Sequence, residues 1–415
     1  LGSKVNSLSI LPRSRSGVSI WGKLGFWVMD HPILVAVPLL AFLVLLGTPF
    51  LGVKLGAPWA SMLPSDAQAR QGWEVVAEEI GKGELAPILV VVRDKGQDDS
   101  NYRGILSNRS TELLYELTSR ITKDSRVSRV KSIFNFPPGL SLEEYQTFYS
   151  QPEGWTPEIR QAIASVATDS STIVQVYSRY DPVSPETKAL VKDIRSMHPT
   201  DTVDLYVTGV TASLMDSITV MYQDLVKGIF FVMGTIFIVL IILFRSVFIP
   251  LKAVVMNAMS IFASYGALVY IFQDGHFQGL LGFQSGGFTE ATVPILLFFV
   301  IFGLSMDYEI FLLSRIKESY DQGLDNVKSV ARGLEKTGRI ITSAALILVL
   351  VSASFATAQV ALVKALGVGV AIAIFLDATL VRALLVPALM RIMGDWNWWI
   401  PAFLGRVIPK WKANI

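Results

Sequence analysis

The chain of 415 residues contains no cysteine and only three histidines. The lack of cysteine excludes disulfide frameworks, thiolate zinc sites and thiol nucleophiles. Because His31, His198 and His276 are far apart in sequence, a histidine-based metal site is not expected either. The polar middle of the chain contains no glycine-rich phosphate loop, GxSxG elbow or HExxH motif. We therefore expect no cofactor, no metal and no enzymatic activity.

Charged residues are also scarce. They make up 17% of the chain, whereas 52% of the residues are hydrophobic. Soluble domains carry about a quarter charged residues, so this composition predicts a membrane protein whose partners include lipids. The 36 Lys and Arg residues against 34 Asp and Glu give a net charge of +2, which provides no basic excess for binding nucleic acid.

The hydrophobic residues form six runs, each about long enough to cross roughly 30 Å of hydrocarbon. The first is too long for the apolar region of a signal peptide, which is about 7–15 residues, so we interpret it as a retained helix. The runs are Ile33–Leu51, Ile229–Phe244, Ala253–Phe272, Thr292–Leu313, Ile340–Ala356 and Leu362–Met390. They predict an N-terminal segment 1–32, a first helix 33–53, a polar domain 54–224, three helices 225–314, a charged segment 315–339, two helices 340–390 and a tail 391–415.

The positions of Lys and Arg predict the orientation of these helices. Basic residues lie before the first run, at the turn with Arg245 and Lys252, between Arg315 and Arg339, and from Arg382 onward. Short cytoplasmic connections are enriched in Lys and Arg. Both termini are therefore predicted to be cytoplasmic, and the polar domain is predicted to be periplasmic or extracellular.

The charged segment Glu318–Gly338 has apolar residues at roughly helical spacing. Leu324, Val327, Val330, Ala331 and Leu334 alternate there with charges. This pattern predicts an amphipathic helix lying along the membrane surface, and a plain solvated connector is the alternative.

The polar domain shows alternating strand and helix patterns. Strands are predicted at 87–93, 127–136, 172–180 and 203–208, helices at 110–122 and 184–198, and a helical insertion at about 141–167. The order of two βαβ units around an insertion is typical of the split βαβ arrangement, so we expect an α+β ferredoxin-like domain.

The most informative ionisable residue is Asp307, inside the fourth run. It lies eight residues before Arg315, about 12 Å inside the predicted boundary. A carboxylate there costs about 2.5–3.5 kcal/mol, so it needs a partner, water or a bound proton. Gly303, one turn earlier, allows another helix or water to approach, and the Tyr308 hydroxyl can hydrogen-bond a carboxyl group on a neighbouring helix. Asp307 and Tyr308 are thus predicted to relay protons.

Other polar residues in the runs have two interpretations each. Asp307 itself can make a structural hydrogen bond without proton traffic. Glu309 lies about 200° around the helix from Asp307 and is expected to pair with a basic residue near the cytoplasmic face. Asp377 either joins the relay or forms an ion pair with Arg382 or Arg339. Ser343 either joins the relay or serves helix packing.

Three stretches resemble the MmpL family of the resistance-nodulation-division (RND) superfamily. They are Gly303-Leu-Ser-Met-Asp-Tyr-Glu309 and its continuation to Arg315, Thr337–Ala345, and Leu376-Asp-Ala-Thr-Leu-Val-Arg382 and its continuation to Met390. The resemblance extends to His31-Pro32 and to 395–401. It implies a six-helix polytopic half with an extracytoplasmic porter domain, and export of lipids or other hydrophobic molecules across the inner membrane. The proton is then the coupling ion, and the family's Asp-Tyr relay pair matches Asp307 and Tyr308.

Similar proteins usually have two such halves, in which the Asp of one half faces the Tyr of the other. This sequence has one half and begins with Leu1, so we expect a C-terminal half, as a fragment or a split subunit. Its expected partners are an N-terminal half or a second copy, and a higher oligomer is also compatible.

Two other functions remain open. A SecD/SecF-like accessory subunit of protein translocation has a similar layout, but the unbroken stretches around Asp307 and Asp377 argue against it. A Patched-like or sterol-sensing lipid receptor would bind lipid without pumping. The Asp307-Tyr308 pair favours transport over such a receptor.

Overall fold

The computed structural model describes residues 19–408 except 58–59, 61–62, 65, 96–103 and 198–202. Within this part, six helical stretches are long and apolar enough to cross a membrane. They are Pro32–Gly52, Val210–Phe244, Phe248–Gln273, Thr292–Asp321, Asn326–Thr357 and Ala361–Trp398. The chain divides into a membrane unit, Leu1–Pro58 with Asp224–Ile415, and a polar unit, Trp59–Gln223. Three of the basic residues before the first run, Lys4, Arg13 and Arg15, lie outside the described residues, as do His198 and the part of the tail beyond 408.

Long helices form nearly all of the membrane unit. The helices are α1 Ile20–Asp30, α2 Pro32–Gly47, α8 Val210–Phe244 (which begins in the polar unit), α9 Phe248–Leu268, α10 Gln278–Leu281, α11 Thr292–Asp321, α12 Asn326–Ser354, α13 Ala361–Leu376, α14 Val386–Met393 and α15 Ala402–Val407. Two π-helical segments, Val269–Gln273 and Asp377–Leu385, continue α9 and α13. Two short strands, β1 Leu55–Gly56 and β6 Thr289–Glu290, pair in parallel.

The span that contains α9 and the span that begins with α13 are the most enclosed helices of the membrane unit. In each, 61% of the most apolar stretch is buried, against 11–22% for the least enclosed spans. Gly266 of α9 lies directly against α2, where an added Cβ would be 2.0 Å from the Leu46 carbonyl oxygen. Small residues allow helix backbones to approach this closely in membranes, where dispersion contacts replace the hydrophobic effect.

The predicted surface helix over 318–338 is wrong. α11 continues to Asp321 and α12 begins at Asn326, with a turn between them in which Gly323 has φ +90° and Asp325 caps the next helix. The apolar face of this region, including Val330 and Ala331, is buried because α1 packs against α12. The prediction missed α1, a short helix directly before Pro32, and therefore assigned this face to the membrane.

The polar unit is built on a four-stranded antiparallel sheet. Its elements are α3 Gln68–Glu79, β2 Ile88–Asp94, α4 Asn108–Thr122, β3 Val127–Lys131, α5 Leu142–Ser150, α6 Pro157–Ala164, β4 Ser171–Ser178, α7 Pro185–Arg195 and β5 Val203–Thr208. The strand order is β3-β4-β2-β5, with α4 and α7 as the helices of the two βαβ units. This is the connectivity of the predicted split βαβ arrangement. Alternating residues of the strands and the apolar faces of α4 and α7 form its core.

Two predicted elements of the polar unit end earlier than expected. The strand predicted over 127–136 stops at Lys131, because Ser132 and Asn135 form a reciprocal capping box that starts a 3₁₀ turn. The helix predicted over 184–198 ends at Arg195. The insertion forms α5 and α6, and Tyr145 and Tyr149 anchor α5 to the core.

Candidate functional site

The two predicted relay residues lie side by side on α11. This helix is 30 residues long, and its Pro294 is tolerated because the first turn has no intrahelical partner for the missing N–H. Asp307 is exposed, whereas Glu309 is only 3% exposed. Two residues of separation turn the side chain by about 200°, so the carboxylates occupy opposite faces of one helix.

The outer face of α11 leaves Asp307 without a partner. Among the described residues, none forms a hydrogen bond or an ion pair with its carboxylate. Gly303, one turn earlier, is also exposed, and a Cβ added there would meet nothing within 4 Å. Ser343 of α12 is exposed as well, and the structure shows no hydrogen bond between it and Asp307. The predicted approach of another helix to Gly303 is therefore not made by the described part of this chain.

Tyr308 lies at the edge of the bundle and connects the outer face to its interior. The Arg382 guanidinium carbon is 5.3 Å from the centroid of the Tyr308 ring, a cation–π distance. Tyr308 also lines a cleft of about 10 Å³ together with Ser305, Asp377 and Arg382. Such a volume is about enough for one water molecule.

Asp377 forms an ion pair with Arg382, at 2.5 Å, and both side chains are buried. The sequence left Arg382 and Arg339 as alternatives, since residues five apart lie about 140° apart around an α-helix. The segment Asp377–Leu385 is π-helical, and i to i+5 hydrogen bonding brings residues five apart onto nearly the same face. The local π geometry is therefore what selects Arg382.

Hydrogen bonds join this ion pair to Glu309. Ser305 Oγ lies 2.8 Å from Asn257 Oδ1 and 3.0 Å from Asp377 Oδ2, and Asn257 Nδ2 donates to Glu309 Oε2 at 3.0 Å. Arg382 Nη2 donates to Ser305 Oγ at 2.8 Å. We call these five residues, Asn257, Ser305, Glu309, Asp377 and Arg382, the buried cluster.

The sequence predicted only part of the buried cluster. Glu309 was expected to pair with a basic residue, but its hydrogen bond comes from Asn257, and its interaction with Lys252 is electrostatic without a direct ion pair. Asn257 and Ser305 were missed. Their only sequence signal is a polar side chain within an apolar run, and many such residues serve helix packing.

The arrangement is suited to proton chemistry. No group of three His, Asp or Glu side chains in the described part of the chain is placed to hold a metal ion. An exposed carboxylate in a spanning helix, with a tyrosine and a hydrogen-bonded charge cluster beside it, can bind and release a proton.

Comparison with known proteins gives a consistent result. The model of the MMPL family matches residues 61–413. The chain is 33% identical over 386 residues to the mycolic acid-containing lipids exporter MmpL11 of Mycolicibacterium smegmatis, covering 92% of the chain and 37% of that protein. It is 33% identical to a Mycobacterium tuberculosis protein named heme uptake protein MmpL11, covering 94% of the chain and 37% of that protein. It is 29% identical to the trehalose monomycolate exporter MmpL3 of M. smegmatis, covering 94% and 35%. The chain thus spans little more than a third of the length of these relatives.

Proposed function

Because the chain belongs to the MMPL family and is a multi-pass membrane protein, we propose that it forms one half of a proton-driven exporter of lipids or other hydrophobic molecules. The observation that carries this proposal is the exposed, unpartnered carboxylate of Asp307 in a membrane-spanning helix. Tyr308 lies beside it and contacts Arg382 of the buried cluster.

The exposure of Asp307 implies a second set of helices. An ionised carboxylate near the middle of the bilayer costs about 2.5–3.5 kcal/mol. Contact between lipid hydrocarbon and the face of α11 that carries Asp307 is therefore unfavourable. A helix of an N-terminal half or of a second copy can cover Gly303 closely, because open space surrounds that glycine. A tyrosine hydroxyl from the covering helix would then hydrogen-bond Asp307, and Tyr308 would reach the carboxylate of the partner in the same way.

The distribution of charge supports an orientation in the inner membrane with both termini in the cytoplasm and the polar unit outside it. Arg245 and Lys252 flank the turn between α8 and α9. The two short connections at the other ends of the spans, about 273–291 and 357–365, together contain a single Lys or Arg, Lys364, which is buried and donates to the carbonyls of Leu281 and Gly282. Two carbonyl oxygens compensate the charge of this lysine locally, and a single lysine on this side does not outweigh the basic residues on the other.

The names of the relatives support a lipid substrate. Two of them are described as exporters of mycolic acid-containing lipids and of trehalose monomycolate. We propose a substrate with a long hydrocarbon chain for the transporter that contains this half. Family membership favours such a substrate over the exported polypeptides of a translocase subunit.

The experiment is to co-express the chain with its complementary half and to measure movement of a fluorescent lipid in vesicles under an imposed pH gradient. We expect Asp307→Asn to reduce gradient-driven export to background, because an amide neither binds nor releases a proton at neutral pH. Asp321→Asn is the matched control. Asp321 ends the same helix and forms only an exposed pair with Lys317, so its loss should change little.

Two results would contradict the proposal. Full export by the Asp307→Asn variant would remove Asp307 from the proton relay. Lipid binding that does not depend on the gradient, with no movement of lipid, would favour a receptor.

A further inference from the structure

A balanced set of charges lies beside the inner face of α11, opposite Asp307. Lys252, Glu309, Asp377 and Arg382 are each 3–5% exposed. Two are positive and two are negative, so the set is formally neutral when all four are ionised. Charges buried in a low-dielectric interior are tolerated when they compensate one another in this way.

Three polar atoms of this set make no hydrogen bond within the described residues. They are Lys252 Nζ, Glu309 Oε1 and Asp377 Oδ1. A buried donor or acceptor without a partner costs about 1–3 kcal/mol. Three such atoms in one set are unusual in a folded protein and indicate a functional requirement. A site that accepts and releases a proton needs a carboxylate oxygen that does not already accept a hydrogen bond from a fixed donor.

The charge count also indicates that one proton is shared. Adding Asp307 to the four buried groups gives three negative and two positive charges. A single proton makes the group of five neutral, and it can reside on the outer face at Asp307 or on the inner face. The inner carboxylate without a direct ion pair is Glu309, which interacts electrostatically with Arg382 and Lys252.

We propose that Glu309 is a second protonation site, which receives the transported proton from the Asp307 side and releases it to the cytoplasm beside Lys252. This inference rests on the proposed function. The proton leaves the carboxyl group of Asp307, which becomes a carboxylate, and binds Glu309 Oε1. On release the O–H bond of Glu309 breaks, and the carboxylate is restored.

The geometry provides a route toward the cytoplasm. Glu309 lies six residues before Arg315, about 9 Å from it along the helix, whereas Asp307 lies about 12 Å from it. Lys252 is the fifth residue of α9, about 6 Å from the start of that helix. Its positive charge compensates the negative charge that remains when Glu309 loses the proton.

The buried cluster couples the cleft beside Tyr308 to Glu309 through hydrogen bonds and charge. A proton in the cleft beside Tyr308 meets Asp377, whose free oxygen is its first acceptor. Ser305 has one hydroxyl proton but two acceptors in reach, Asn257 Oδ1 and Asp377 Oδ2, so it donates to one or the other. The charged groups that face Glu309 are Lys252 from α9 and Asp377 and Arg382 from the last span. The charge on Asp377 therefore affects Glu309 directly.

The test compares three variants of the chain, each co-expressed with the complementary half in vesicles. Glu309→Gln keeps the size of the side chain and an acceptor for Asn257. We expect it to reduce gradient-driven lipid export by about a hundredfold, the usual contribution of a positioned acid–base group. The remaining export should no longer change with the pH on the cytoplasmic side. Glu318→Gln, at the end of the same helix, is the control and should export normally.

The double variant Glu309→Gln with Lys252→Met separates a proton site from a structural charge. Removing both charges keeps the interior neutral, so a purely structural pair would regain folding and export. We expect the double variant to assemble as the wild type does, by size-exclusion chromatography, but to remain defective in export. Restored export would overturn the proposal.

The results also distinguish this inference from the proposed function. If Asp307→Asn abolishes export but Glu309→Gln exports normally with an unchanged pH profile, the relay stands and the role of Glu309 is refuted. If Asp307→Asn exports normally, the proposed function itself fails.

Discussion

Gly266 offers a direct test of how the membrane unit is packed. A Cβ at this position would lie 2.0 Å from the Leu46 carbonyl oxygen and 2.6 Å from the Gly47 Cα. Both neighbours are backbone atoms, which no side-chain rotation can move. The substitution Gly266→Ala therefore requires α2 and α9 to separate locally by roughly 1.4 Å to reach ordinary contact.

Two opposing effects set the size of the change. Replacing Gly by Ala within a helix contributes about 1 kcal/mol of stability through helix propensity. Overpacking a well-packed interior costs about 1–3 kcal/mol, and contact with rigid backbone places Gly266 at the upper end. Because the steric cost exceeds the gain in helix propensity, we expect Gly266→Ala to lower the free energy of unfolding by about 2 kcal/mol.

Gly234→Ala is the matched control. Gly234 lies inside α8, is exposed, and has nothing within 4 Å of an added Cβ. Only the propensity gain applies there, so this variant should be as stable as the wild type or more stable by up to about 1 kcal/mol. The assay is reversible unfolding of the purified chain in mixed detergent micelles, followed by circular dichroism. Equal stability of the two variants would refute the close contact between α2 and α9.

Two further predictions concern the polar unit, measured by thermal unfolding of the full chain. Tyr149→Phe removes a buried hydroxyl that donates to the Ile133 carbonyl at 2.8 Å and should cost about 1 kcal/mol, whereas Tyr180→Phe, at an exposed position, should cost nothing measurable. Hydrogen bonding from Arg126, at 2.6 Å, holds the pKa of Asp124 below its ordinary value of 3.8. This pair therefore stabilises the fold above pH 3.8 and is lost as pH falls through the lower folded-state pKa, so Asp124→Asn should lower the unfolding temperature at neutral pH, with a difference that disappears in acid. A difference that persists at the lowest pH would show that the ion pair is not its cause.

Much of the fold could be predicted from the sequence because it depends on local pattern. Long apolar runs predicted the six spans, and short runs of β-branched or alternating residues predicted the four strands of the polar unit. α1 was missed because an 11-residue helix next to Pro32 has no run of membrane length. That omission also led to the wrong interpretation of residues 318–338, whose apolar face needed α1 as its partner.

The sequence predicted a site residue only where a charged side chain stands out within an apolar run. Asp307 is detectable as a carboxylate in an apolar run. Asn257 and Ser305 are not, because their importance comes from which helices pack together rather than from spacing. The partner of Asp377 depends on a π-helical segment, and the residue pattern of the sequence does not predict that segment.

The π-helical segment Asp377–Leu385 has a mechanical consequence. The ion pair between Asp377 and Arg382 fits the π register, whereas the α register would place the two side chains about 140° apart. Neutralising Asp377 removes the attraction that favours the π register. Replacing Asp377 with Asn should therefore favour the α register, in which Arg382 turns away from the Tyr308 ring.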